Sequence, residues 1–134
     1  MASNLKYSNG TRDAQQNGLI TYAGSGSIIH IYSGTQPSNA NTAISTQTLL
    51  VSLTVTGSFG TDSNGTITMG SVANGVAVAT GTASFFRITK SDNSTVVMDG
   101  SVGTSGTDMI LDNTSINTAQ TVSISSGTII RGNQ

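Results

Sequence analysis

An antiparallel all-β fold, with a β-sandwich or jelly-roll-like body, follows from three observations. First, charged residues make up only 8% of the chain and all six acids are aspartate, so the Glu and Lys that clothe helices are scarce. Second, Gly, Ser, Asn and Asp corners recur about every 8–12 residues between short apolar runs. Third, Leu49–Gly57 carries the cleanest alternation in the chain, with Val51, Leu53 and Val55 on one face and Ser52, Thr54 and Thr56 on the other. The division expected is an N-terminal arm and one short helix over 1–26, then a β-sandwich domain over 27–134.

Residues 1–10 are polar apart from Leu5 and Tyr7 and read as an arm. Thr11–Ala23 is the helix candidate: Thr11 can cap, Asp13 falls near the positive end of the helix dipole, and Gly24 can stop it. Ala14, Gly18, Leu19 and Tyr22 form its weak apolar stripe, which Gly18 weakens by about 1 kcal/mol relative to alanine. Gly24-Ser-Gly26 is a break. Ile28–Tyr32 is an apolar strand, ended by Ser33–Pro37, which holds the only proline. Ser38–Thr48 is a polar loop before the strand Leu49–Gly57.

Asn64-Gly65 and Asn74-Gly75 are hairpin corners, flanking a strand over Thr66–Val72 and followed by another over Val76–Thr80. Further strands are expected at Ser84–Lys90, Thr95–Val102, Asp108–Asp112 and Thr121–Arg131. Turns are expected at Gly81–Ala83, Ser91–Ser94 and Gly103–Gly106, with a loop over Asn113–Gln120. No repeat of fixed period is found, which sets aside solenoids and propellers.

With 134 residues, 35% hydrophobic and 4% aromatic, the core must be thin and built from Val, Ile and Leu. A net charge of −1 leaves no electrostatic footprint for nucleic acid or an anionic membrane. Cysteine is absent, so disulfides and thiolate metal sites are excluded. The opening MASNLKYSNG has no apolar signal-type region, and no run approaches a membrane span, so neither secretion by a standard signal nor membrane insertion is expected. So few charges would leave a free monomer poorly protected from self-association.

Few residues of this chain could carry chemistry. His30 is the only histidine and sits among isoleucines, as a core or interface side chain does. Asp108 and Asp112 are the nearest acid pair for glycoside hydrolysis, but tryptophan and glutamate are absent, and turn or strand-end roles suit them better. Asp62-Ser-Asn-Gly65 has alternate oxygen ligands, yet it lacks the remaining positions of a calcium loop and reads as a plain turn. Asn-x-Ser/Thr triplets at Asn9, Asn64, Asn93 and Asn113 match a glycosylation pattern that this composition produces by chance. Lys6, Arg12, Arg87, Lys90 and Arg131 are too scattered for a nucleic-acid surface. Catalytic, cofactor and metal residues are all expected to be absent.

Several stretches in order resemble a family of small β-rich proteins encoded among the structural genes of tailed bacteriophages. They are Asn9–Leu19, Ile29-His-Ile-Tyr-Ser-Gly-Thr-Gln-Pro37, Thr48-Leu-Leu-Val51 and Phe59-Gly60 before Ser63-Asn-Gly65. The likeness resumes at Gly81-Thr-Ala-Ser-Phe-Phe-Arg-Ile88, Met98-Asp-Gly-Ser-Val-Gly-Thr-Ser-Gly-Thr-Asp108 and Val122-Ser-Ile124 before Ile129-Ile130. The resemblance implies a non-enzymatic virion component, a cement or decoration protein on the capsid exterior that meets host cytoplasm during assembly. Its partner would be the major capsid protein, and it would act as a homo-oligomer such as a trimer. The alternative is a neck or tail position, or a surface-displayed carbohydrate-binding or adhesion module. Leu5, Lys6, Tyr7, Arg12 and Tyr22 are the candidate capsid or subunit contacts.

Overall fold

The computed structural model describes residues 5–130. Residues 1–4 of the expected arm and the end of the last strand at Arg131 lie outside the described residues, as do the side chains of 125–130. The chain is mostly β, with one helix, α1 (Asn9–Ala23). The strands are β1 (Ile28–Ser33), β2 (Thr48–Thr54), β3 (Gly60–Ser63), β4 (Thr66–Met69), β5 (Gly75–Val76) and β6 (Gly81–Thr82). They continue as β7 (Phe85–Thr89), β8 (Val96–Gly103), β9 (Met109–Leu111), β10 (Ser115–Ile116), β11 (Thr121–Val122) and β12 (Ile124–Ile130).

The main sheet has eight strands in the order β2-β1-β7-β8-β9-β12-β4-β3, and two-stranded pieces β10-β6 and β11-β5 accompany it. The β2 edge is not left open. Residues 71–78 run along it, with bonds from Thr56 N to Ser71 O (2.8 Å), Ala73 N to Thr54 O (2.9 Å) and Val78 N to Leu50 O (2.7 Å). The other side of that segment meets the chain at Gln120, where Ala77 N donates to Gln120 O at 2.8 Å. The sheet therefore curls, which removes a bare edge that would template pairing with other chains.

The core is aliphatic, as the composition requires. Ile29, Ile31, Val51, Leu53, Val55, Ile67, Phe86, Ile88 and Met109 are buried in one cluster. The alternation read in Leu49–Gly57 holds from Val51 to Thr56, with Val51, Leu53 and Val55 buried and Ser52, Thr54 and Thr56 exposed. Leu50 before it is buried too, where the pairing with β1 shifts register. Phe86 owes its seat to Gly100 on the neighbouring strand, where a Cβ would lie 2.4 Å from the ring. Phe85 points the opposite way and stacks on Tyr32, centroids 5.2 Å apart.

Several expectations are corrected. The helix starts earlier, at Asn9, and Ser8 rather than Thr11 is its cap: Ser8 Oγ accepts from Thr11 N at 3.2 Å. Asp13 then lies beyond the first turn, and its carboxylate serves a tertiary contact instead of the dipole. The inward helix face is Arg12, Gln16 and Ala23 with Leu19 and Ile20, while Ala14, Gly18 and Tyr22 are exposed. The partner under the first half of the helix is a hairpin tip with free peptide groups, so polar side chains turn toward it.

The sheet is also not wholly antiparallel, because β8 and β9 pair in parallel, Val102 with Met109 and Gly103 with Ile110. Ser101 and Asp108 clasp the loop between them. Asp108 Oδ2 accepts from Ser101 N (2.9 Å) and Ser101 Oγ (3.0 Å), and Asp108 N donates to Ser101 Oγ (3.1 Å). That clasp brings the chain back beside itself without reversing it.

Finally, the long strand expected over Val76–Thr80 shrinks to Gly75–Val76, and Thr121–Arg131 divides into β11 and β12. Three short strands form where turn or loop residues were expected: Gly60–Ser63, Gly81–Thr82 and Ser115–Ile116. Polar residues pair there because a neighbouring strand already offers its edge.

Candidate functional site

The N-terminal segment holds the expected contact residues, and the structure divides them. Leu5 is 64% exposed and Tyr22 49%, at either end of the segment; Lys6 is exposed and Tyr7 half-buried. Lys90 Nζ stands 4.0 Å above the centre of the Tyr22 ring, a cation–π contact that ties the helix end to the β7–β8 turn. Arg12 is different. It is 4% exposed, its Nη1 donates to Asn9 Oδ1 at 3.3 Å, and its guanidinium lies against Gly65. Arg12 serves the joint between helix and hairpin and does not face outward.

That joint is built from side chains one helical turn apart. Asp13 Oδ1 accepts the Gly65 N–H at 2.7 Å, and Gln16 Nε2 donates to the Gly65 carbonyl at 2.8 Å. Asn17 Nδ2 adds a longer contact to Asp62 Oδ2 at 3.4 Å. Asn64 and Gly65 have φ of 51° and 81°, the double left-handed geometry of a two-residue hairpin turn. The turn reading of Asp62–Gly65 thus holds, with Asp62 in β3 and Gly65 gripped by the helix. The helix is mounted on the sheet with its outer side, including Tyr22, presented.

Two exposed apolar side chains escaped the sequence reading. Val76 and Val78 are 61% and 66% exposed, while Ala77 between them is buried. Their alternation is the signal, but it does not say which face the core occupies.

A second polar arrangement crosses the sheet on the face opposite the core. Register places Ser52, His30, Arg87 and Asp99 in one row over four strands. Arg87 and Asp99 form a two-point ion pair, Nε–Oδ1 2.7 Å and Nη2–Oδ2 2.8 Å, with side chains 6% and 4% exposed. This hydrogen bonding to Asp99 holds the guanidinium yet more firmly protonated. His30 meets Ser52 Oγ at 3.0 Å through Nδ1 and Thr89 Oγ1 at 3.1 Å through Nε2. Burial lowers its pKa below 6.5, against an opposing hydrogen bond from Asn93. Burial also raises the Tyr32 phenol.

The two aspartates weighed for hydrolysis do separate work. Asp108 is the clasp to Ser101, and Asp112 lines a shallow cavity of about 120 Å³ with Asn113, Gln120 and Thr121. Among the described residues no three His, Asp, Glu or Cys side chains gather as a metal site would require, and no helix is long and apolar enough to cross a membrane. No protein-family model, curated protein or solved structure matches the chain.

Proposed function

We propose that this chain is a non-enzymatic virion structural protein of a tailed bacteriophage, a decoration or cement protein. It would bind the outside of the major capsid shell as a homo-oligomer and stabilise contacts between capsomers. In this reading the curled sheet is the sandwich-like body, and the N-terminal segment is the contact element. The observation that carries it is the mounting of that segment: Leu5 and Tyr22 stand 64% and 49% exposed while the inner side of the helix is locked to the hairpin tip. Apolar anchors on a pre-ordered support lose little entropy on docking. The surface around them is rich in Ser, Thr and Asn and poor in charge, which suits wide, water-containing contacts repeated over many copies.

A carbohydrate-binding role is less well supported. It needs an open aromatic platform, whereas Lys90 covers the Tyr22 ring and Tyr32 stacks on Phe85.

The test uses particles of a phage encoding this chain, assembled with and without it. Particles should carry the protein in stoichiometric amount and resist heat or chelator better than particles without it. Leu5→Ser should keep the melting temperature of the free protein, and Tyr22→Ser, which also loses the Lys90 contact, should lower it only slightly. Each should nonetheless weaken particle binding by about tenfold or more. Equal resistance with and without the protein would sink the proposal, and binding at a neck or tail vertex would relocate it.

A further inference from the structure

The Asn64–Gly65 turn carries a reactivity that its hairpin role does not use. In such a pair the glycine amide nitrogen can attack the side-chain carbonyl carbon of the asparagine. A C–N bond forms, the bond to the side-chain nitrogen breaks, and ammonia leaves. Solvent water then opens the succinimide ring to aspartate or isoaspartate. No oxidant or cofactor is involved. Glycine favours the step because no Cβ hinders close approach of the nitrogen.

Asn64 is exposed, so its side chain is open to this chemistry, but the attacking nitrogen is restrained. Gly65 N–H donates to Asp13 Oδ1 at 2.7 Å, and its carbonyl is held by Gln16 Nε2 at 2.8 Å. Attack requires that nitrogen to give up its proton and rotate toward Asn64. A carboxylate at 2.7 Å makes the deprotonated nitrogen more costly, and the two bonds together fix the peptide plane.

We propose that Asn64 is a latent deamidation site kept intact by the docking of α1, and that release of the helix commits it to conversion. The product carries a new carboxylate in the turn where Asp13 and Asp62 already meet the hairpin. Arg12, packed against Gly65, offsets that charge, so the isoaspartate product is what makes undocking one-way: its extra backbone methylene takes the Gly65 peptide out of reach of Asp13 and Gln16. This chemistry is independent of any virion role.

The experiment ages the full chain in mildly alkaline buffer and follows Asn64 by peptide-mapping mass spectrometry. Asn74, in an Asn–Gly pair outside the joint, reports general unfolding, and Asn9 and Asn17, in the Asn–Gly pairs of α1 itself, are mapped alongside. Asp13→Ala should speed conversion at Asn64 by about tenfold and leave Asn74 unchanged. Asp13→Asn, which keeps an oxygen acceptor, should fall between the two. Gln16→Ala, which removes only the second bond, should also speed Asn64. Equal rates in wild type and Asp13→Ala, a slower rate in the variant (Asp13 then acting as base), or a matching rise at Asn74 would each overturn the proposal. In protein aged to isoaspartate at position 64, amide exchange should quicken over residues 9–23 with the sheet unchanged, and unaltered helix exchange would overturn the one-way step.

Discussion

Asp13 and Gly65, far apart in sequence, are joined by a 2.7 Å hydrogen bond from the glycine peptide to the aspartate carboxylate. Arg12 packs over the same glycine so closely that a Cβ there would sit 2.7 Å from its Nε. The position disfavours a side chain by its φ of 81°, and a methyl there would also push the Arg12 guanidinium aside. Gly65→Ala should lower stability by about 1–3 kcal/mol in urea unfolding, with the helix loosened first in amide exchange. An unchanged midpoint would contradict this account of the joint.

Glycines elsewhere divide by what surrounds them. Gly18 lies in α1 with nothing within 4 Å of where an alanine methyl would sit, whereas a Cβ at Gly100 would strike the Phe86 ring at 2.4 Å. Gly18→Ala should raise stability by about 0.5–1 kcal/mol through helix propensity. Gly100→Ala should cost about 1–3 kcal/mol, because the ring has to leave its seat. Thermal melts of the two variants should shift in opposite directions.

The Arg87–Asp99 pair is nearly covered, yet it lies on the sheet face away from the core cluster. Arg87→Met leaves the carboxylate without its partner and should cost about 2–4 kcal/mol, somewhat less than for a deeply buried pair. Replacing both together, Arg87→Met with Asp99→Leu, should recover most of the loss. A double-mutant cycle with no coupling would show that the pair contributes nothing beyond its separate contacts.

Acid should weaken the fold in two stages. Burial lowers the His30 pKa below 6.5, so the unfolded chain binds more protons in that window. Stability from this source is full above the unfolded pKa of 6.5 and falls as pH drops through it. Asp92, held down to about 2 by Thr95 and Ser94, acts at lower pH, its contribution fading below the ordinary 3.8. His30→Gln should flatten the first stage and leave the second, as read from unfolding midpoints across pH. A wild-type midpoint that does not fall with pH through the first stage would contradict the burial of a neutral imidazole.

Much of this was legible locally. The alternation around Val51, Leu53 and Val55 names the buried face because a strand sends successive side chains to opposite sides. The Asn64-Gly65 corner names its own turn because those residues tolerate the left-handed backbone it needs. The joint was not legible: Arg12, Asp13, Gln16 and Asn17 look like an exposed polar helix face until the hairpin tip is placed beneath them.

The sequence by itself determined the strand-rich class, the aliphatic core and the hairpin corners, since these depend on periodicity and backbone preference within a few residues. Only the tertiary structure decided which side chains meet across the sheet. Lys90 N bonds Thr95 O at the end of the β7–β8 turn, and counting back from there would set Arg87 opposite Met98. An irregularity between Ile88 and Thr89 shifts the register by one, and Arg87 meets Asp99 instead. A single-residue slip exchanges the two faces of a strand, and the cost of burying a lone charge against the gain of pairing it is settled by partners the local pattern does not name.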